Sequence, residues 1–263
     1  MKRRIQNLLF KSINCIPGIS HTLDSVCVDF HRLNENFNYD YNSNGEKWLL
    51  EQLARQKLLS FCFDVGANHG DWTAMILANN PGATVHCFEI CPETYRKLAA
   101  RFPADKRVVL NSAGLSDQAG DIEVQYCLDS DGLSSMFEVV CSTNIRKTAA
   151  KVIRGGDYCK ERGIGKIDFL KMDVEGAEHL VLNGFGELLR PHCVPVIQFE
   201  YGMVNIATKF LLRDFHALLE ARGYKVGKLF PDHVRFREYR FQDEDFLGPN
   251  YIAAAPELAV KLG

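Results

Sequence analysis

The sequence has no run of about 18 apolar residues, the minimum for a helix that crosses a bilayer, so no integral membrane span is expected. It has no excess of charge of either sign. Lys and Arg total 31 against 33 for Asp and Glu, a net charge of −2, and without a basic surplus no nucleic-acid partner is expected. The nine cysteines contain no CxxC pair. Their number is odd, and several sit in or beside apolar runs, where a thiol behaves as a small hydrophobe. That excludes a disulfide framework and a zinc site and points to a reducing, cytoplasmic setting. Internal repeats and low-complexity tracts are absent as well. What remains is an ordinary globular composition, 46% apolar and 24% charged over 263 residues, enough to bury a core without staples.

The first residues, Met1-Lys2-Arg3-Arg4 followed by IQNLLF, begin like a secretory leader. The apolar run is short, and Lys11, Asn14 and Pro17 interrupt it. A short amphipathic helix packing on the domain or on a partner is the expectation. Residues 1–44 read as a helical extension that ends in a polar, aromatic linker, NENFNYDYNSNG. Residues 45–263 read as one domain. Trp48, Leu49, Leu53 and Leu58 then recur at helical spacing.

From Phe61 short apolar runs alternate with amphipathic stretches. Strands are expected at 61–65, 83–89, 108–111, 167–172 and 194–201, and helices at 71–80, 92–101, 177–189 and 208–222. Such alternation predicts crossover units and a mostly parallel sheet covered on both faces. Residues 224–229 and 251–255 are strand-like with no helix between them, which predicts an antiparallel pair closing one sheet edge. Residues 121–128 look like an extra strand. Residues 129–165 read as largely loop and helix.

The sharpest motif is FDVGANHGDW, residues 63–72. An apolar strand carries Asp64, then Gly66, Asn68 and Gly70 lead into a helix. Gly66 permits a tight turn, and Gly70 is expected to let the helix start close to the strand and ligand. The GxNxG spacing differs from the GxGxxG of a dinucleotide loop. In that loop a helix N-terminus receives a pyrophosphate. An acid directly before the loop repels a phosphate but accepts from an ammonium. The chemistry therefore favours S-adenosylmethionine, which has an amino-acid end and no phosphate. Glu89 closes the second strand, where an acid can accept both ribose hydroxyls. The plainer alternative is a generic strand-to-helix turn with a chance terminal acid.

The third strand ends at Asn111 and runs into SAGLSDQAG. By position Asn111, Ala113 and Ser116 flank an adenine, or form an ordinary turn. The fourth reads IDFLKMDVEGAEHL, residues 167–180. Ligands of open α/β sheets lie beyond the carboxyl ends of the strands, which points Asp173 at the reaction site. Glu175 is left between a site role and helix capping. Glu200 projects from the end of the fifth strand toward the same edge.

FDVGANHGDWT, CFEICPETYRKL, LNSAGLSDQAG and IDFLKMDVEGAEHLVLNGF, in that order, resemble the FkbM family of S-adenosylmethionine-dependent methyltransferases. GYKVGKLF and LGPNYIAAAP resemble that family's closing strands, and the likeness spans about residues 45–256. The resemblance implies a class I, Rossmann-like methyltransferase fold. It implies O-methylation of a hydroxyl on a sugar, glycan or secondary metabolite, and cofactor contacts from Asp64, Gly66, Asn68, Gly70 and Glu89, with Asp173 nearby. Residues 1–44 match no known motif, so the acceptor is not carried over. The (D/N)PP(Y/F) motif of many base N-methyltransferases is absent, and DVEG stands in its place.

Candidate bases for the acceptor hydroxyl are Asp173 and Glu200, with His233 and His69 behind them. Lys171 orients a carboxylate or pairs with Asp173 or Glu175. Asp173, Glu175 and Glu200 also have the oxygen chemistry to hold a magnesium ion, although no diagnostic metal spacing is present. N-methylation, a nucleotide-linked oxidoreductase on the same fold and a non-catalytic cofactor-binding scaffold are the rival readings. A homodimer is compatible with the sequence, and nothing in it fixes the oligomeric state.

Overall fold

In the computed structural model, residues 19–127 and 144–263 are described. The N-terminal amphipathic helix expected before Pro17, and part of the 129–165 segment, lie outside them. In chain order the elements are α1 (Ile19–Asn34), α2 (Glu46–Arg55), β1 (Phe61–Val65), α3 (Asp71–Asn79), β2 (Thr84–Phe88), α4 (Pro92–Arg101), β3 (Val108–Asn111), β4 (Gly114–Ser116), β5 (Gly120–Cys127) and β6 (Ile145–Arg154). Then follow α5 (Gly155–Glu161), β7 (Phe169–Met172), α6 (Glu178–Phe185), β8 (Val196–Glu200), α7 (Val204–Thr208), α8 (Leu212–Glu220), β9 (Lys225–Leu229), β10 (Val234–Phe236), β11 (Asn250–Ala254) and α9 (Pro256–Leu262). No helix among the described residues is long and apolar enough to cross a membrane.

Eight strands form the main sheet in the order β10-β9-β11-β8-β7-β1-β2-β3. The run from β3 to β8 is parallel throughout. Chain order reverses beside β1: β2 and β3 lie to one side, β7 and β8 to the other. Such a switch point opens a crevice at the carboxyl ends of the strands. The fold is the expected α/β architecture, a mostly parallel sheet with antiparallel closure.

Side-chain alternation along β1 explains the two cores. Cys62 packs with Leu49, Ile76 and Leu98 from α2, α3 and α4 on one face. Phe63 and Val65 pack with Val181, Leu182 and Phe215 from α6 and α8 on the other. Phe63 is fully buried and touches His86, Phe88, Tyr158 and Phe185. By the same alternation Asp64 points inward on the Cys62 face, which has a consequence for its role.

Four expectations change. Residues 129–165 contain β6, which pairs with β5 along eight residues and with β4 to form a separate three-stranded sheet. Its charged sequence, IRKTAAKVIR, hid the strand because most of its side chains face outward. The expected helix at 208–222 is split. Lys209 adopts a left-handed conformation (φ 58°), and α8 restarts where the Asp214 carboxylate accepts the Leu211 N–H at 2.9 Å. The helix expected at 177–189 stops at Phe185, because Gly186 has φ 56° and opens a 3-10 turn. The antiparallel closure is larger than one pair. β11 lies between β8 and β9, and the short β10 forms the edge beyond β9.

Candidate active site

The turn after β1 folds over the end of β2. The N–H groups of Gly66 and Ala67 both donate to the Phe88 carbonyl, at 2.9 and 3.0 Å. Gly66 has φ 78°, and a Cβ there would stand 1.8 Å from the Asp173 carbonyl oxygen. No side chain fits, so β1 and β7 can release their chains side by side only at glycine. Asn68, at φ 46°, donates its N–H to Glu89 Oε2 at 2.9 Å. The Cys91 N–H donates to Glu89 Oε1 at 2.8 Å. Burial pushes the Glu89 carboxyl up to about 7, and these two amides oppose the rise.

These residues line a cavity of about 670 Å³ at the switch point, within the size range of small-molecule sites. Of the candidate site residues, Gly66, Asn68, His69, Glu89, Lys171, Asp173, Glu175 and Glu200 line it. Asp64, Gly70, Asn111, Ala113, Ser116 and His233 are not among its lining residues. Asp64 is fully buried, accepts from Thr73 Oγ1 at 2.7 Å and lies 3.8 Å from Lys171 Nζ. Burial raises its pKa, and Lys171 and Thr73 oppose the rise. Gly70 has φ 81°, and a Cβ there would press on Phe102 and Leu98 at 2.5 and 2.7 Å, so helix packing also requires glycine at this position. Asn111 Nδ2 donates to the Cys87 and Val109 carbonyls. Ala113 and Ser116 are buried, and their neighbours Gly114 and Leu115 line the cavity with Ile90. His233 stacks on Phe230 beside Asp232.

Across the cavity from Glu89, the ends of β7 and β8 bring three carboxylates together. One oxygen each from Asp173, Glu175 and Glu200 lies within 4.8 Å of the others, a donor set that suits a hard cation. Burial, then Asp173 and Glu178, push Glu175 up to about 8. Burial, then Asp173 and Glu175, hold Glu200 well above the ordinary carboxylate range. Lys171, almost fully buried, contacts Asp173 Oδ2 at 3.2 Å. Burial lowers its affinity for a proton, but Asp173, Asp64 and Glu46 outweigh that, and its pKa is raised. The ammonium also lies 5.7 Å over the Trp72 ring.

Sequence reasoning missed the third wall, whose two tyrosines come from the segment before the domain. Tyr39, Tyr41 and Glu46 line the cavity, as do Trp72 and Met203. Glu46 is buried and accepts from Trp72 Nε1 at 2.8 Å, Gln198 Nε2 at 2.6 Å and Asn44 Nδ2 at 2.9 Å. Residues 35–44 are tied to the domain. Asn36 Nδ2 donates to the Asn44 and Leu229 carbonyls, and Glu35 pairs with Lys228 and Arg235. The available signal was aromatic: two tyrosines in an otherwise polar linker suit a binding loop better than a tether.

A doubly wound α/β chain presents its ligand crevice at the switch point, and here that crevice is large enough for a small molecule. The model of the methyltransferase FkbM domain matches residues 64–226, and the chain belongs to that family of S-adenosylmethionine-dependent methyltransferases. It is 29% identical to the 31-O-demethyl-FK506 methyltransferase FkbM of Streptomyces tacrolimicus, over 62% of this chain and 72% of that one. It is 28% identical to the 2-O-methyltransferase NoeI of Sinorhizobium fredii, over 48% of this chain and 57% of that one. Among solved structures, an FkbM methyltransferase from Methylobacillus flagellatus superposes with a TM-score of 0.48 at 16% identity, over 74% of this chain and 44% of that one.

Proposed function

We propose that this protein transfers a methyl group from S-adenosylmethionine to a hydroxyl oxygen of a small-molecule or glycan acceptor. The observation that carries the reading is the pairing of two acid groups across one cavity. Glu89 is fixed beside the glycine turn by two backbone amides, and the Asp173–Glu175–Glu200 cluster faces the same space. The names of both curated relatives describe O-methylation, which supports oxygen as the acceptor atom.

The residues fit the cofactor. Asn68 Oδ1 is buried in the lining with no hydrogen-bond partner among the described residues, a free acceptor for a ligand amine or hydroxyl. Glu89 keeps lone pairs for a ribose diol after its two backbone contacts. Gly66, Ala67 and Asn68 form the wall for the amino-acid end, while Ile90, Gly114 and Leu115 offer an apolar wall for the base. Asp64 acts from below. Buried with Thr73 and Lys171, it fixes the strand end and the lysine. Acids dominate the lining, which suits a sulfonium and opposes a pyrophosphate. This disfavours a nucleotide-linked oxidoreductase.

Bound here, S-adenosylmethionine supplies a methyl group already activated by its positive sulfur. The chain then has to orient an oxygen in line with that methyl and remove a proton from it. Glu200 is the base: it lines the cavity beside Asp173 and Glu175, and burial with those two acids strengthens its hold on a proton. Lys171 holds Asp173 beside it, and Asp173 orients the acceptor hydroxyl. The test has two arms. Calorimetry should show S-adenosylhomocysteine binding and no comparable binding of NAD. With labelled methyl donor and a panel of hydroxylated acceptors, Glu200→Gln should cut turnover by about 10²–10⁴-fold while leaving S-adenosylhomocysteine affinity intact. Preferential binding of NAD, or an undiminished rate in the variant, would refute the reading.

A further inference from the structure

Tyr39 and Tyr41 stand on either side of Asp40 in a turn that the chain has fixed in place. The Asp40 carboxylate accepts from the Asn42 N–H at 3.1 Å and from Ser43 Oγ at 2.9 Å. Asn38 Nδ2 donates to Ser43 Oγ at 3.0 Å, and the Lys47 N–H closes onto the Tyr41 carbonyl. The polar side chains are thus spent on rigidity. The two tyrosines are not. Their side chains are 61% and 41% exposed, line the cavity, and have no hydrogen-bond partner for either phenol among the described residues. Tyr39 stands edge-on to Phe37 at 5.4 Å. It lines the same cavity as Glu200, Glu175 and Asp173, and partial burial followed by those three acids pushes its phenol up to about 12. Met203, 67% exposed, adds apolar surface to the same cavity.

Charge narrows what such a surface can hold. Glu46, Glu89, Asp71 and the three-acid cluster all line the cavity. Among the described residues, Lys171 is the only lysine or arginine in the lining, and it is already committed to Asp173 and Asp64. A carboxylate or phosphate on the acceptor would meet these acids at short range, with no uncommitted lysine or arginine of the described lining to offset them. A flat array of C–H bonds suits the negative face of a tyrosine ring, and hydroxyls suit the carboxylates beyond it.

We propose that Tyr39 and Tyr41 form the acceptor platform and take the C–H face of an uncharged sugar ring. Its hydroxyls turn toward Asp173, Glu175 and Glu200, and anionic sugars are excluded. The inference rests on the cavity being the methyl-transfer site. The two tyrosines are specificity-determining residues, carried by a segment outside the stretch that matches the family.

Saturation-transfer NMR on the full chain, with S-adenosylhomocysteine present, tests this directly. The probes are methyl glucoside and methyl fucoside, neutral, against methyl glucuronide, anionic. The neutral glycosides should receive saturation at their ring C–H protons and the glucuronide should not. Tyr39→Ala/Tyr41→Ala should lower the neutral signal by about fivefold, the worth of an aromatic contact. Tyr39→Phe/Tyr41→Phe should restore it, since the rings return without the phenols. Equal saturation of the glucuronide, no saturation of any glycoside, or an unchanged signal in the double alanine variant overturns the platform. Loss of S-adenosylhomocysteine binding by the wild-type chain instead sinks the cofactor reading, and the platform with it.

Discussion

Replacing Glu89 with glutamine keeps the shape of the side chain and removes its charge. Both carboxylate oxygens accept backbone N–H groups, from Asn68 at 2.9 Å and Cys91 at 2.8 Å. A glutamine has one acceptor oxygen, so its NH₂ must face one of those donors. The turn at Asn68 then shifts, or one amide is left buried and unpaired at a cost of about 1–3 kcal/mol. The ribose diol loses a charged acceptor at the same time, worth about 1.5–3 kcal/mol for each such hydrogen bond. Taking about 3 kcal/mol for the sum at the ligand, S-adenosylhomocysteine should bind roughly a hundredfold more weakly. The assay is isothermal titration at pH 8.5, where Glu89 is ionised in the wild type, with circular dichroism to confirm that the variant is folded. A folded variant with affinity within about threefold of wild type, less than 1 kcal/mol, would refute the assignment of Glu89.

The raised carboxyls imply opposite pH trends for stability and binding. Glu89 and Glu178 at about 7 and Glu175 at about 8 all stand above their unfolded value near 4.5, so the ligand-free fold binds their protons more tightly. That stability is fully present below about 4.5 and is lost as pH rises through 7 to 8. Thermal melts of the ligand-free chain should therefore show a lower Tm at pH 8.5 than at 5.5, while the affinity for cationic S-adenosylmethionine should rise over the same interval. Lys171→Met leaves Asp64 buried without its cation. It should cost about 3 kcal/mol, or roughly 6–12 °C in Tm, and adding Asp64→Asn should recover part of the loss. Gly66→Ala, which sets a Cβ 1.8 Å from a carbonyl oxygen, should abolish cofactor binding by calorimetry. Gly163→Ala, at φ 66° with open space around it, should cost about 1 kcal/mol and leave binding intact.

The parallel core was legible because its signals are local. β1, β3 and α4 have the bounds that apolar runs and Pro92 mark in the sequence. β6 was not, because a strand with outward-facing charges shows no apolar run. Within the site, the sequence identifies Glu89, Asp173 and Glu200 as strand-end acids, and all three line the cavity. It could not reveal that Asp64 points into the core. That depends on which face of β1 the helices cover, a tertiary fact. Nor could it distinguish Gly114 and Leu115 from Ala113 and Ser116, because alternation in a short turn lacks a fixed phase. Tyr39 and Tyr41 reach the cavity through a segment held by contacts distant in sequence, such as the bond from Asn36 to Leu229, 193 residues apart.

A crystal structure with S-adenosylhomocysteine bound tests the central claim most directly. The ribose hydroxyls should lie on the Glu89 carboxylate and the amino-acid end against Gly66–Asn68, with the sulfur turned toward Asp173 and Glu200. An adenosyl ligand held elsewhere, or bound in this cavity with its sulfur turned away from the acid cluster, would contradict the account.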